Sequence, residues 1–380
     1  HLILYMEIHY LEVYFKFRVR KFMKLFKSLL VAPATLGLLA PVAATANEVT
    51  INDFNPAEEL AITNSRVDGL EARLNNFEAG SFSETTTASF SVDMYLGSTD
   101  TDDGSSSLSD LDDSIMAGYS MGIGLNTSFT GEDSLDITID AGNASGAGYA
   151  EFDGNTTADF MKIDGVSYTF PLGGATVFVG DNTDGSLLFT TACVYGGPSN
   201  TLDDCGNVNA GFTAGELSAG ASYDFGNGFT VATGLQTSSK TSKAVLTEET
   251  LDSVGINAAY TADNYGVSVT YSSEETSTTE EDTAVAFNAY YTPEGLPSIS
   301  VGYETVDLGG KASTVDEKES FFVGLTWDEV GPGSLGIAAG YSDIVEGSDE
   351  EYMYEAYYEY PVNDGMTITP LVFVKEVADA

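Results

Sequence analysis

The chain has 380 residues and sets 58 Asp and Glu against 14 Lys and Arg, a formal net charge of −44. So acidic a surface repels polyphosphate, which excludes nucleic acid as a partner, and it draws in cations. No run after residue 46 approaches the roughly 20 apolar residues that a spanning helix needs, so any membrane crossing must be made by strands.

Residues 1–22 (HLILYMEIHYLEVYFKFRVRKF) precede a credible start at Met23 and read as upstream translation. From Met23 the pattern is a secretory signal: Lys24 and Lys27, an apolar core over 29–40, and a small-residue cleavage site at Ala44-Thr45-Ala46. Pro33, Gly37 and Pro41 break that core, and it is too short for an anchor. Cleavage after Ala46 removes six of the basic and two of the acidic residues, leaving 8 against 56. It also removes both histidines, His1 and His9. Ser-His-Asp and Cys-His catalysis and His-ligated metal are thereby excluded from the mature chain.

Residues 47–57 form a short polar lead. Over 57–78, Leu60, Thr63, Val67, Leu70, Leu74 and Phe77 recur three and four apart, which predicts a helix with a heptad seam, ended by Gly80. Two readings stay open for it: an amphipathic helix against a barrel mouth, or a three-stranded bundle on a trimer axis.

From residue 83 onward the period is two. In the hairpin over 119–143, Tyr119, Met121, Ile123, Leu125 and Phe129 share one parity against small or polar neighbours. After a turn at residues 131–134, Leu135, Ile137, Ile139 and Ala141 do the same. Fifteen such strands are predicted. The first spans 87–96, and that hairpin supplies the second and third. The others span 160–170, 175–180, 215–225, 229–236, 253–260, 265–271, 284–291, 298–304, 320–327, 334–341, 352–360 and 366–374. Short turns rich in Gly, Asn, Asp and Pro alternate with long acidic loops. That alternation predicts an all-β fold: a transmembrane antiparallel β-barrel of about 16 strands over residues 83–380. Such barrels usually close on an even count, so one strand is expected beyond residue 380, in a chain cut short at its C-terminus.

The opening hairpin, residues 66–90 (RVDGLEARLNNFEAGSFSETTTASF) and residues 355–375 (EAYYEYPVNDGMTITPLVFVK) together resemble cyanobacterial outer-membrane porins, similar to the carbohydrate-selective porin group. The resemblance covers nearly all of the mature chain and implies a homotrimeric barrel in outer-membrane lipid, passing small solutes passively. Relatives often carry an S-layer homology domain before the coiled-coil segment, and residues 47–57 are too short for one. They also end in a strand closing on an aromatic residue, which is lacking here.

A passive pore needs no cofactor and no catalyst; it needs a constriction. The candidate is the longest loop, 181–210, expected to fold into the lumen and to place Asp184, Asp203 and Asp204 there. Cys193 and Cys205, both in that loop of an exported chain, are expected to form a disulfide. The competing reading is a surface loop with a structural disulfide. Beyond Arg73 there is no arginine, and the lysines are Lys162, Lys240, Lys243, Lys311, Lys318 and Lys375. An anion-selective ring can hardly be built from these, so inorganic cations and small neutral solutes, sugars among them, are favoured. The acidic run from Asp100 to Asp113 and the run from Glu274 to Asp282 read as solvated external loops. Phe170, Phe225, Tyr260, Tyr291, Trp327 and Tyr360 flank the short turns and predict an interfacial girdle at one end. The alternative function is a secreted, acidic β-rich surface protein or adhesin without a pore. Paired carboxylates of a glycosidase carry no signal among 56 acids.

Overall fold

The computed structural model describes residues 3–8, 85–99, 114–144, 151–152, 154, 157–212, 215–237, 247, 250–277, 280–310 and 315–376. The predicted signal, the helix over 57–78 and the run from Asp100 to Asp113 lie outside them. Residues 10–87 form a second compact unit, of which only 85–87 are described.

The described residues are all-β. The strands are β1 (Ile3–Ile8), β2 (Thr86–Gly97), β3 (Met116–Thr127), β4 (Ser134–Gly142), β5 (Lys162–Leu172), β6 (Ala175–Asp181), β7 (Leu217–Asp224) and β8 (Phe229–Thr237). They continue as β9 (Asp252–Thr261), β10 (Tyr265–Ser277), β11 (Glu280–Tyr291), β12 (Ser298–Asp307), β13 (Glu317–Val330), β14 (Gly333–Val345), β15 (Met353–Asn363) and β16 (Met366–Lys375). From β2 to β16 each strand lies beside the next in one antiparallel meander. By themselves these fifteen form a sheet with two free edges, β2 and β16. Both edges pair with β1, Tyr5 standing between Tyr95 and Thr369, and the strand order becomes that of a closed barrel. The position that sequence reasoning left for a strand beyond residue 380 is occupied in this structure by Ile3–Ile8.

The alternation that makes these segments strands also sorts their two faces. On β10, Tyr265, Val267, Val269 and Tyr271 are exposed while Gly266, Ser268, Thr270 and Ser272 are buried. β-Branched and aromatic residues fit a pleated surface, and here they meet across strands: Val269 stands opposite Phe287 on one side and Ala258 on the other. The short turns are tight where glycine allows it. Gly173 and Gly174, with φ of 60° and 92°, close β5 onto β6 in a two-residue hairpin that other residues adopt only with strain. Pro361 sits at a register shift near the end of β15, where the ladder already lacks a bond.

The run from Glu274 to Asp282 was expected as a loop, and here the structure differs. β10 and β11 continue through it, with Glu274 opposite Asp282 and Glu275 opposite Glu281. The side-chain alternation lapses at Ser272-Ser273-Glu274-Glu275, but the ladder is made by backbone groups and continues without it.

Candidate functional site

One face of the sheet is apolar and exposed, and the other is polar and buried. Val254, Ile256, Val267, Val269, Val285 and Phe287 are between 38% and 51% exposed. On the alternate positions of these strands and on β12, Asn257, Ser268, Thr270, Asn288, Ser300 and Glu304 are at most 2% exposed. This inverts the arrangement of a soluble sheet, whose apolar face is the hidden one.

What hides the polar face is the connection between β6 and β7. It crosses the inside of the barrel in an extended path and bonds to successive strands. The Gly185 amide donates to Gln236 Oε1 on β8 at 2.9 Å. From Thr190 every second amide does the same: Thr190 to Asn257 Oδ1 on β9, Ala192 to Ser268 Oγ on β10 and Val194 to Ser300 Oγ on β12, at 2.9, 2.9 and 3.0 Å. The wall's short polar side chains thus do for the loop what a neighbouring strand does in a sheet, satisfying buried amides.

The outward leg ends at Tyr195. Its hydroxyl donates to Glu355 Oε1 on β15 at 2.7 Å, and its ring packs against Phe322 and Tyr357 with centroids 5.2 and 5.8 Å away. The return leg begins in a tight coil. The Leu202 and Asp203 amides both donate to the Ser199 carbonyl, and the Cys205 amide to that of Leu202. Leu202 and Cys205, three apart, are buried against the wall, near Gly340, Phe322 and Gly302. Asp203 and Asp204 fall between them on the exposed side of the coil. Cys193 and Cys205 are bonded to each other, tying the outward leg to the return leg.

Glu304 on β12 holds the return leg. It accepts from the Asn209 amide at 2.9 Å, the Ala210 amide at 2.6 Å and Asn209 Nδ2 at 2.8 Å. Asn209 also accepts from Lys318 Nζ and donates to Asp343, and Lys318 pairs with Asp343 at 3.0 Å. A second clasp joins three segments near the end of β16. Lys375 Nζ lies 2.7 Å from Glu151 Oε1 and donates to Thr201 Oγ1 at 2.9 Å, while the Thr201 amide donates to Glu151 Oε2 at 3.2 Å. The polar rule for the inner face breaks at β13 to β16. There Phe322, Met353, Tyr357 and Leu371 are buried with Tyr195 and Leu202 in a dry patch under the loop.

Of the acids singled out in the sequence, the structure brings Asp203 and Asp204 together on the coil. Asp184 lies apart from them at the loop's start, part-buried, where its carbonyl accepts from the Leu187 amide. The anchors Glu304, Glu355, Asn209 and Glu151 were not singled out. For Glu304 a signal existed: it is an acid on the parity of Ser298, Ser300 and Gly302, against Ile299, Val301 and Tyr303 on the other. Glu355 gave none, because it shares its parity with Met353 and Tyr357.

At the opposite end of the barrel, Asp133 organises the turn between β3 and β4. Oδ1 accepts from Ser128 Oγ and from the amides of Phe129 and Thr130 at 2.9, 3.0 and 2.7 Å. Oδ2 accepts from the Tyr168 hydroxyl on β5 at 2.7 Å. The Tyr168 bond, followed by those from Thr130 and Ser128, holds this carboxyl well below the usual carboxylate range. Aromatic pairs gather at the same end: Tyr168 with Phe170, Phe225 with Phe229 and Tyr260 with Tyr265, centroids 5.4 to 5.9 Å apart.

No family model matches the chain. An uncharacterized protein of Nostoc sp. is 32% identical over a 164-residue alignment that covers 36% of this chain and 27% of that protein. The chain thus matches about a quarter of that relative's length. Among solved structures, an engineered variant of the Rh. blastica porin superposes with a TM-score of 0.46 at 13% identity, over 76% of this chain and 97% of that one. A second variant gives 0.47 at 12% identity, over 76% and 98%.

Proposed function

We propose that this chain is an outer-membrane porin that lets small solutes diffuse passively through a water-containing barrel. The observation that carries the reading is the inverted sorting of faces: valine, isoleucine and aromatic side chains outward, serine, asparagine, threonine and glutamate inward around a loop. Hydrocarbon is the solvent that such an exterior suits, and a closed antiparallel sheet satisfies its backbone groups there. A secreted adhesin folded as a sandwich would bury Val267, Val269 and Phe287 between layers, and they are exposed.

The constriction is formed by the loop between β6 and β7, and Asp203 and Asp204 give it negative charge. Inorganic cations and small neutral molecules are its solutes, because a basic ring is lacking in the sequence. Export through the cleaved segment over 23–46 and assembly as a trimer belong to the same reading; cleavage there also releases Ile3–Ile8, so in the mature barrel another strand takes the place between β2 and β16. None of this requires a catalytic residue.

Planar-bilayer recording of the purified protein, with a salt gradient, tests the proposal. Stable conductance steps with a reversal potential favouring potassium over chloride are expected, together with heat-modifiable gel migration and a need for detergent. Migration unaffected by heating, in a protein soluble without detergent, would remove the barrel. A chloride-favouring potential would remove the acidic constriction.

A further inference from the structure

Two adjacent residues of the connection between β4 and β5 touch both edges of the β2–β16 meander. Phe152 packs on Tyr95 of β2 with ring centroids 5.0 Å apart, and both side chains are 6% exposed. Glu151, 7% exposed, meets Lys375 of β16 at 2.7 Å. Tyr95 and Lys375 are on the inward parity, shared with Thr369 and Leu371. Two strands that flank a third stand about 9–10 Å apart, a gap that neighbouring residues cover only with long side chains. All three oxygens of Glu151 accept. The backbone carbonyl takes the Asn200 amide at 2.9 Å, Oε2 the Thr201 amide at 3.2 Å and Oε1 the Lys375 ammonium, which also donates to Thr201 Oγ1. These ties stand where the ladder of the seam ends. β1 pairs with β16 as far as Leu371, and Phe373 and Lys375 are the inward residues beyond it. Phe373 packs instead on the cluster that holds Tyr95, Phe152 and Leu371. The connection is fixed to β4 as well: the Asp159 amide donates to the Gly142 carbonyl at 3.1 Å, and a Cβ at Gly154 would meet the Ala144 carbonyl oxygen at 2.8 Å.

We infer that the connection between β4 and β5 is an inner strap across the seam of the barrel, in which Phe152 grips β2 and Glu151 grips β16. The inference rests on the barrel of the porin reading and not on what passes through it. Tyr95, Glu151, Phe152, Thr201 and Lys375 all follow residue 46, so the strap remains in the mature chain. Its grip is strong because it is dry: a buried acid that loses its cation is left uncompensated, and a buried ring that leaves its partner leaves a cavity. Through Asn200 and Thr201 the strap also fixes the start of the coil that carries Asp203 and Asp204.

Hydrogen–deuterium exchange of the full chain in detergent, read by mass spectrometry, tests this. Glu151→Ala and Phe152→Ala are expected to speed exchange about ten-fold or more in peptides covering 88–97 and 366–376, while peptides over 252–291 keep the wild-type rate. Glu304→Ala, which frees the loop at β12, is expected to leave β2 and β16 as in wild type. Wild-type rates at β2 and β16 in both strap variants, a rise shared equally by all strands, or an equal rise at β2 and β16 in Glu304→Ala overturns the inference. Where a strap variant fails to assemble, as read by heat-modifiable migration, Lys375→Met replaces it, keeping the stem and removing the ion pair: faster exchange at both edges is expected, and wild-type rates overturn the strap. A barrel that passes the exchange test and never conducts upholds the strap and overturns the porin reading alone. A wild-type chain whose migration heating leaves unchanged overturns both.

Discussion

Gly302 on β12 lies so close to Cys205 that the loop's carbonyl occupies the space a side chain at 302 would need. Asn288 Nδ2 donates to that same oxygen at 2.8 Å, so the wall both makes room for the loop and holds it. Gly302→Ala is expected to push the return leg off the wall at a cost of about 1–3 kcal/mol, the usual penalty of overpacking a fitted site. Thermal unfolding in detergent would show the loss. Noisier open-channel currents than wild type would show that the loop has moved; a quiet channel of wild-type stability would place the contact elsewhere.

Glu304 offers a second probe of the same docking. Glu304→Gln keeps the shape and loses the charge that strengthens three hydrogen bonds, each worth about 1.5–3 kcal/mol when one partner is ionised. Glu304→Ala leaves the Asn209 and Ala210 amides without their acceptor. Protease nicking within residues 199–212 should rise in the order wild type, Gln, Ala. Equal resistance in all three would show that the Lys318 and Asp343 contacts hold Asn209 alone.

Breaking the disulfide tests how much of the loop's order is local. Reduction, or the double change Cys193→Ser and Cys205→Ser, is expected to lower stability by about 2–4 kcal/mol if the loop unfolds with the barrel. A larger fluctuation in conductance with an unchanged melting temperature is expected if it unfolds separately. Neither effect on reduction would mean that the wall bonds suffice.

Asp133 gives a pH dependence with a definite sign. Its folded pKa is depressed below the ordinary value of about 3.9, so its stabilising bonds are complete above that value. They are lost as pH falls through the lower folded pKa. Asp133→Asn should therefore melt earlier than wild type at pH 7, and the difference should shrink below about pH 3.9. A difference that grew on acidification would contradict the assignment.

The charge on the coil is tested through selectivity. Asp203→Asn with Asp204→Asn is expected to lower the potassium-over-chloride permeability ratio by about two- to three-fold, with conductance changed less. Asp184→Asn, part-buried at the start of the loop, should shift it less. Equal shifts would place all three acids along the path.

Much of the barrel was legible from Thr86 onward because a sheet with one apolar and one polar face requires alternation along each strand. Tyr265, Val267, Val269 and Tyr271 can be sorted by parity alone, and so can the short turns at Gly173-Gly174 and Gly226-Asn227-Gly228. The strand continuing through Glu274 and Glu275 was not legible, because pairing there is carried by the backbone and the side chains lose their alternation. Nor was the dry patch: Phe321-Phe322-Val323 is apolar at every position, and nothing in such a run says that Phe322 turns inward to meet Tyr195. The loop's cysteines and acids stood out by type. Its anchors on the strands are ordinary Ser, Asn, Gln and Glu residues whose role comes from partners between 51 and 160 positions away.

That separation has a direction. Gln236, Asn257, Ser268, Ser300 and Glu355, which receive the first leg of the loop, all come later in the chain than the loop itself. Each of these contacts closes a span of 51 to 160 residues, far longer than the turns between neighbouring strands, so seating of the segment is expected among the last events of folding. Newly inserted barrels should conduct through a wide bore that narrows with time, and a bore constant from the first moment of insertion would mean that the segment berths along the way.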